Sequence, residues 1–261
     1  MKGRPWGLIA PAAVGLLFLL LPLLGLLIRA PWSQLPDLLS AASVRQALTL
    51  SLQSAVLATV LSLLVGIPMA WVLARLDFPG RRLVRALVTL PLVLPPVVGG
   101  VGLLYAFGRT GVLGPTLEDL GLSLSFSRTG VVLAEAFVAL PFLIVTVEGA
   151  LAAADLRFEE AAATLGAAGW RTFRTITLPL LGPSIAAGSV LCFARALGEF
   201  GATITFAGNL PGTTQTMPLA VYVALESNPD AAIALALVLL VVSVLILLSL
   251  RERWLRPLSR A

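Results

Sequence analysis

The sequence lacks several residue types on which common kinds of protein chemistry depend. It contains no histidine, one cysteine, Cys192, and one lysine, Lys2. Disulfide frameworks, metal sites built from histidine or cysteine, and catalysis that needs histidine are therefore excluded within this chain. It also has no glycine-rich segment ending in Gly-Lys-Ser/Thr, the usual cradle for the phosphates of ATP. Nucleotide binding of that kind is excluded as well.

Charged residues are also scarce. Only 12% of the 261 residues are charged, whereas 58% are hydrophobic and the mean hydropathy is +0.99. These values lie far outside the range of soluble domains. The composition therefore predicts an integral membrane protein. Its long apolar runs predict an all-α, polytopic fold, because a helix satisfies its own backbone hydrogen bonds in lipid.

Six apolar runs are long enough, at roughly 20 residues each, to cross the hydrocarbon core of a membrane. They cover about residues 6–28, 46–74, 83–108, 129–151, 180–205 and 231–250. The first run is too long for a secretion signal and has no small-x-small cleavage site, so it is expected to be a retained anchor. The whole chain, residues 1–261, is thus predicted to be one transmembrane domain.

The basic residues are distributed unevenly between the connecting segments. If the N-terminus is cytoplasmic, the inner segments hold Lys2, Arg4, Arg75, Arg81, Arg82, Arg85, Arg157, Arg171, Arg174, Arg251, Arg253, Arg256 and Arg260. The outer segments hold Arg29, Arg45, Arg109 and Arg128. Because cytoplasmic loops are enriched in lysine and arginine, this bias predicts that both termini are cytoplasmic. Topology then explains the net charge of +5, and no nucleic-acid partner is expected.

One polar segment, residues 152–178, interrupts the apolar runs and is called the elbow below. Asp155 can cap a helix in its first half, and Gly166 can supply the left-handed residue that ends this helix. A second short helix is expected over about residues 168–177, before Pro179 begins the next span. By composition the elbow is either an interfacial amphipathic connector or a surface that docks another protein.

The spacing within the elbow resembles a known signature. Its elements are Glu160-Ala161-Ala162, three residues, Gly166, nine residues, and then Ile176-x-Leu178-Pro179. This pattern is similar to the EAA signature of permease subunits of bacterial ABC importers, in which it lies between the fourth and fifth of six spans. The resemblance implies the six-helix fold of type I ABC importer permeases in the cytoplasmic membrane.

The same resemblance implies partners and residue roles. In that family the elbow is a coupling helix that docks into a separate ATPase subunit, and the role is carried here by Glu160, Ala161, Ala162 and Gly166. It also implies a homodimer with two ATPase subunits, which bind ATP and Mg²⁺, and an extracytoplasmic oxyanion-binding protein. This chain would then be a transport subunit and not an enzyme, with no cofactor or metal of its own and with membrane lipid around it.

A second informative stretch runs from Phe193 to Pro218. Arg195, Glu199 and Thr203 recur every four residues and therefore predict one polar stripe on a helix. Such a buried ion pair either locks helices together or lines a translocation path, and the sequence leaves both open. A site that must release an anion favours neutral donors, which Thr203, Thr205 and Asn209 can supply.

The third span contains three prolines. Pro91, Pro95 and Pro96 interrupt the helical hydrogen bonds, so a kink is expected that either fits the packing or bends a helix along a central path. Two acidic residues of the fourth span, Glu135 and Glu148, are equally ambiguous. Glu148 is expected near the cytoplasmic interface.

A narrower resemblance concerns the transported substrate. The segments "RALGEFGATITFAGN", "PGTTQTMP" and "LPLVLPPVVGG" are similar to those of molybdate permease subunits, while sulfate and tungstate permeases share a related Gly-Glu-Phe-Gly segment. The resemblance implies import of molybdate, with tungstate also plausible and sulfate or thiosulfate as the alternative. An ion-driven secondary transporter is a weaker alternative because acidic residues in the spans are few. An intramembrane enzyme is weaker still, since His-Glu-x-x-His and Gly-x-Ser-x-Gly are absent.

Overall fold

The computed structural model describes residues 6–155 and 157–254, which form helices and no strand. The α-helices in chain order are α1 (Trp6–Arg29), α2 (Leu35–Ser40), α3 (Ala42–Arg75), α4 (Arg81–Val93), α5 (Pro96–Phe107), α6 (Gly114–Asp119), α7 (Arg128–Ala153), α8 (Arg157–Thr164), α9 (Gly169–Thr172), α10 (Leu178–Leu180), α11 (Gly182–Leu197), α12 (Gly201–Phe206), α13 (Met217–Ser227) and α14 (Pro229–Trp254). A π-helical turn, Phe173–Thr177, joins α9 to α10. The prediction of an all-α fold is confirmed.

Within the described part of the chain, four helices, α1, α3, α7 and α14, are long and apolar enough to cross a membrane unbroken. Two further spans are bent pairs. The α4–α5 pair bends by 118°, and the pair formed by Gly169–Leu180 and α11 bends by 70°. Counting each bent pair as one span gives the six spans that the sequence predicts. The side of the bundle that carries the elbow is called the elbow end below, and the other side the opposite end.

Helices α3 and α7 lie side by side at the centre of the bundle, and α11 packs against both. The contact face of α3 carries small residues at a spacing of three or four: Ala47, Ser51, Ser54, Ala58, Ser62, Gly66 and Ala70. A Cβ atom on Gly66 would lie 3.0 Å from Leu140 Cδ1. Small residues let the two helix backbones approach closely. In a membrane the hydrophobic effect does not drive helices together, so this close van der Waals contact stabilises their packing.

The third span breaks at two of its three prolines. Leu94 is extended, with φ −67° and ψ 131°, because the ring of Pro95 disfavours helical geometry in the residue before it. Pro95 is extended as well, and Pro96 starts α5 as its first residue. Pro91 lies inside α4 without ending it. The 118° bend of this span therefore lies at Pro95 and Pro96, and the kink at Pro91 stays a prediction.

The fifth span differs from the continuous helix predicted over residues 180–205. Helix α11 starts at Gly182 and ends at Leu197, and a separate short helix, α12, follows. Gly198 terminates α11, and the Glu199 carboxylate accepts a hydrogen bond from the Ala202 amide at 2.8 Å, which stabilises a new helix start. The prediction of one helical stripe through Arg195, Glu199 and Thr203 is wrong, because Thr203 lies on the second helix.

The remaining differences concern the connections at the opposite end. Three segments predicted as loops contain short helices, α2, α6 and α13. Helix α13 packs against α14 and α3, and α1 packs at the periphery against α14. Four of the basic residues used to predict the orientation, Lys2, Arg4, Arg256 and Arg260, lie outside the described residues.

Candidate functional site

The first half of the elbow is a short helix with defined ends. The Asp155 carboxylate accepts a hydrogen bond from the Arg157 amide at 3.0 Å, at the start of α8. Gly166 ends the helix with φ +79°, and hydrogen bonds join the Gly166 amide to Ala163 O and the Ala167 amide to Ala162 O. This is a Schellman motif with glycine in the left-handed position, as the sequence predicts.

An acidic residue that sequence reasoning did not select fastens the elbow to the bundle. Glu159 pairs with Arg75 at 3.0 Å, at the end of α3, and accepts a hydrogen bond from the Thr177 hydroxyl at 3.0 Å. One carboxylate thereby ties both halves of the elbow to the central helix. No local sequence pattern pairs Glu159 with Arg75, because the two residues are 84 positions apart.

The predicted coupling residues lie on different sides of α8. Glu160, Ala161 and Gly166 are exposed, whereas Ala162 is 7% exposed and faces the bundle. A Cβ atom on Gly166 would meet no other atom within 4 Å, so this position is limited by its backbone conformation and not by space. Three of the four residues are thus available to a partner protein, whereas Ala162 packs against the bundle.

The surface around these residues is strongly apolar for a polar segment. Leu165 is 88% and Trp170 is 72% exposed, next to the turn at Gly166. Trp170 stacks on Phe173 with ring centroids 5.6 Å apart, and Phe173 meets Trp71 of α3 edge to face at 6.3 Å. Exposed large apolar groups held by rigid aromatic contacts are typical of protein interaction surfaces.

The second region lies where the fifth span breaks. Arg195 and Glu199 form an ion pair at 2.6 Å, and the Glu199 side chain is 1% exposed. Because Glu199 also holds the Ala202 amide, both of its oxygens are occupied. The pair is electrically neutral, so it offers a passing anion no free cation.

The three predicted neutral donors have different environments. The Thr205 hydroxyl donates to Gly201 O at 2.8 Å within its own helix. The Thr203 hydroxyl and the Asn209 Oδ1 atom are buried and have no hydrogen-bond partner among the described residues. The hydrogen bonds of the described residues do not join these three side chains into one site. Their role along a translocation path stays a prediction.

Glu135 is a deeply buried carboxylic acid whose role the sequence left open. It is 1% exposed and accepts a hydrogen bond from the Ser54 hydroxyl at 2.8 Å. A carboxyl group in the middle of an apolar run was the available signal, since such residues usually have a partner within the bundle. By contrast, Glu148 pairs with Arg85 of α4, with Arg85 Nε 2.8 Å from Glu148 Oε1.

Known proteins resemble this chain over most of its length. The molybdenum transport system permease protein ModB of Mycobacterium tuberculosis is 49% identical over 243 residues, which cover 93% of this chain and 92% of that protein. The sulfate transport system permease protein CysT of Escherichia coli is 39% identical over 238 residues, covering 90% and 86%.

A solved structure shows the same fold at lower sequence identity. A bacterial alginate ABC transporter, crystallised in complex with an alginate pentasaccharide-bound periplasmic protein, matches with a TM-score of 0.76 and 21% identity, over 94% of this chain and 91% of that one. The family model for the inner membrane component of binding-protein-dependent transport systems matches residues 62–257, a range that contains the elbow and both bent spans. This chain therefore belongs to the family of binding-protein-dependent transport system inner membrane components.

Proposed function

We propose that this chain is the membrane-spanning permease subunit of an ATP-driven importer that carries molybdate into the cytoplasm. The observation that supports molybdate as the substrate is the 49% identity to a molybdenum permease over 93% of the chain, compared with 39% identity to a sulfate permease. Tungstate is a second substrate of the proposed importer, because it is a tetrahedral dianion of nearly the same size. Sulfate is the competing substrate.

The proposed assembly contains two copies of this chain, two ATPase subunits that hold ATP and Mg²⁺, and an extracytoplasmic binding protein. The binding protein is supported by the chain's membership of the family of binding-protein-dependent transport systems. The absence of a Gly-Lys-Ser/Thr phosphate loop in the sequence supports a separate ATPase. The elbow and both termini face the cytoplasm in this arrangement, as the arginine distribution predicts.

The elbow is the proposed point of coupling to the ATPase. Its exposed face, with Glu160, Ala161 and Gly166, gives a partner close access to the backbone. The Glu159 contacts to Arg75 and Thr177 transmit a displacement of the elbow to α3, which lies at the centre of the bundle. Closure of the ATPases would thus switch the bundle between two arrangements.

The break in the fifth span is proposed to face the path of the anion. Thr203 keeps a buried hydroxyl without a hydrogen-bond partner among the described residues, and such a donor is stabilised when a ligand or water binds it, whereas the unpaired atom of Asn209 is its Oδ1, which accepts and can be satisfied by water. Arg195 and Glu199 serve there as a structural pair, and the turn at Pro95 and Pro96 brings α5 against α12. Neutral donors suit a site that must release its dianion.

The deciding experiment is uptake into proteoliposomes that contain this chain, its ATPase and its binding protein. We expect ATP-dependent accumulation of labelled molybdate, and slower accumulation of labelled sulfate at equal concentration. Preferential uptake of sulfate would replace molybdate by sulfate as the substrate. Uptake that persists without ATP would contradict the proposed class of transporter.

Coupling is tested by reversing one exposed charge of the elbow. Glu160→Lys should insert normally and yet lose most ATP-driven uptake, because the reversed charge faces the ATPase. Glu226→Lys is the matched control, since Glu226 is also exposed but lies on α13 at the opposite end. Equal uptake by both variants would contradict the coupling role and indicate that the elbow only connects two spans.

A further inference from the structure

A concavity of about 480 Å³ lies at the opposite end of the bundle, far from the elbow. We name it the arginine vestibule, and the polar residues that line it are Arg45, Gln46, Thr49, Gln53 and Arg128. Four of them come from the first three turns of α3, and Arg128 is the first residue of α7. No acidic side chain is among its lining residues.

The vestibule residues of α3 form one exposed polar face. Arg45, Thr49 and Gln53 follow one another at intervals of four residues, so they share a side of the helix. All three are exposed, whereas Ala47 and Ser51, on the other side, are buried against the bundle. The exposed polar face therefore points away from the packed core.

This face cannot lie against lipid. Helix α3 has 34 residues and is thus about 51 Å long, some 20 Å more than the hydrocarbon core. If the helix is centred, Gln53 lies roughly 7 Å below the surface of that core. An amide exposed to hydrocarbon at that depth would lose its hydrogen bonds, which is costly. In that placement the polar face borders water.

Farther along α3 the same side becomes apolar. Val56, Leu57, Val60 and Leu64 are exposed. The polar face therefore stops at Gln53, and an apolar stretch follows toward the elbow end.

The two arginines carry charge that the described residues do not neutralise. Neither Arg45 nor Arg128 forms an ion pair among these residues, whereas Arg109, at the same end, pairs with Glu118 at 2.8 Å. Arg128 is held in place, because its Nη2 donates to Gly212 O at 2.8 Å. Its remaining guanidinium N–H groups stay free to bind an anion.

The shape of the vestibule depends on a turn. The chain reverses over residues 210–213, where the Thr213 amide donates to Leu210 O and Gly212 has φ +74°. A Cβ atom on Gly212 would come within 3.2 Å of Gln46 Oε1. Glycine at this position allows the left-handed turn and leaves room for the amide side chain of Gln46.

We infer that the arginine vestibule binds a tetrahedral oxyanion dianion at the opposite end of the bundle, an inference that rests on the proposed function. Two guanidinium groups match the charge of such a dianion, and their planar donors fit its oxygens. The Thr49 hydroxyl and the amides of Gln46 and Gln53 add neutral donors. Because all these side chains are exposed to water, binding is weak enough to permit release.

The first test measures anion binding without transport. Thr49→Cys is introduced together with Cys192→Ala, and the full chain with its ATPase is placed in nanodiscs without binding protein. A membrane-impermeant thiol reagent should label Thr49→Cys, and molybdate should slow the labelling severalfold. Thr116→Cys is the matched control, because Thr116 is exposed in α6 at the same end and outside the vestibule.

Three results decide this test. If molybdate or sulfate slows the labelling of Thr49→Cys and not that of Thr116→Cys, the result supports anion binding in the vestibule. Absence of labelling at Thr49→Cys would overturn the inference, because the face would not border water. Equal slowing at Thr116→Cys would overturn it too, since the anion would then act on the reagent and not on the site.

The second test separates a small anion from acidic groups of the binding protein as the ligand of the arginines. The double variant Arg45→Gln with Arg128→Gln should reduce molybdate uptake about tenfold or more while the binding protein docks with unchanged affinity. Arg109→Gln is the control for loss of charge at the same end. A loss of docking affinity together with no anion protection of Thr49→Cys would assign the arginines to protein docking and overturn the inference.

The two tests also separate this inference from the proposed function. If the unaltered transporter accumulates neither molybdate nor sulfate, the proposed function fails whatever the labelling shows. If it accumulates molybdate while the anion leaves labelling of Thr49→Cys unchanged, the vestibule inference fails and the proposed function stands.

Discussion

Ser54 connects two of the central helices through a single hydroxyl group. It donates to Glu135 of α7 at 2.8 Å, and both residues are almost fully buried. The neighbouring Ser51 is equally buried and accepts a hydrogen bond from the Met217 amide at 2.7 Å. At the scale of single residues, short polar side chains on α3 therefore satisfy polar groups that the bundle encloses.

Replacing Ser54 with Ala should destabilise the protein by roughly 1–3 kcal/mol, because the Glu135 carboxyl group would lose its partner in a buried site. Thermal unfolding of the purified chain in detergent measures the change. Glu135→Gln should cost less, since the remaining amide oxygen can still accept from Ser54.

Ser189→Ala is the control for the loss of a hydroxyl. Among the described residues the Ser189 hydroxyl donates to Ile185 O of its own helix, at 2.6 Å, and to no side chain, so its removal leaves none of their buried side chains unpaired. If Ser54→Ala were no more destabilising than Ser189→Ala, the contact to Glu135 would contribute nothing to stability.

At the scale of helices, close backbone contact joins the two broken spans. A Cβ atom on Gly100 of α5 would lie 2.8 Å from Ala202 O, and one on Gly201 would lie 2.9 Å from Pro96 Cβ. Each glycine thus faces the partner helix without a side chain between them. The turn at Pro95 and the break at Gly198 place α5 and α12 in this contact.

Gly100→Ala should therefore weaken the contact between α5 and α12, at a cost of about 1–3 kcal/mol, because the obstructing atoms, Thr205 Cβ and the Ala202 backbone, cannot rotate away. Gly102→Ala is the matched control in the same helix, since a Cβ atom there would meet nothing within 4 Å. Thermal unfolding should show a loss of stability for the first variant alone. Equal stability of both would mean that the two helices separate readily.

At the scale of the whole molecule, the two ends of the bundle differ in chemistry. The elbow end carries an apolar surface with exposed Leu165 and Trp170. The opposite end carries the arginine vestibule, with Arg45 and Arg128. These ends suit an ATPase on one side of the membrane and an anion supply on the other.

The orientation can be measured with two single-cysteine variants in a Cys192→Ser background, Ala168→Cys in the elbow and Thr213→Cys at the opposite end. Both positions are exposed, so neither result depends on burial. An impermeant thiol reagent added outside intact cells should label Thr213→Cys and leave Ala168→Cys unlabelled. Labelling of Ala168→Cys alone would invert the proposed topology.

The amino-acid sequence by itself determined the features that depend on local chemistry. Apolar runs of roughly 20 residues predicted the six spans, because a helix of that length crosses the hydrocarbon core of a membrane. Gly166 predicted its helix end, because few other residues adopt positive φ at low cost. The prolines at 95 and 96 predicted a kink, although not its angle of 118°.

Only the tertiary structure decided how distant residues combine. The ion pair of Glu159 with Arg75 and the hydrogen bond of Glu135 with Ser54 join residues 84 and 81 positions apart, and no periodicity selects such partners. The break after Leu197 was likewise decided by contacts. Glycines at 198 and 201 permit it, but the Glu199 bond to Ala202 and the close approach of α5 favour it over a continuous helix. The vestibule needs the start of α3, the start of α7 and the turn at Gly212 together, so it exists only after the bundle has packed.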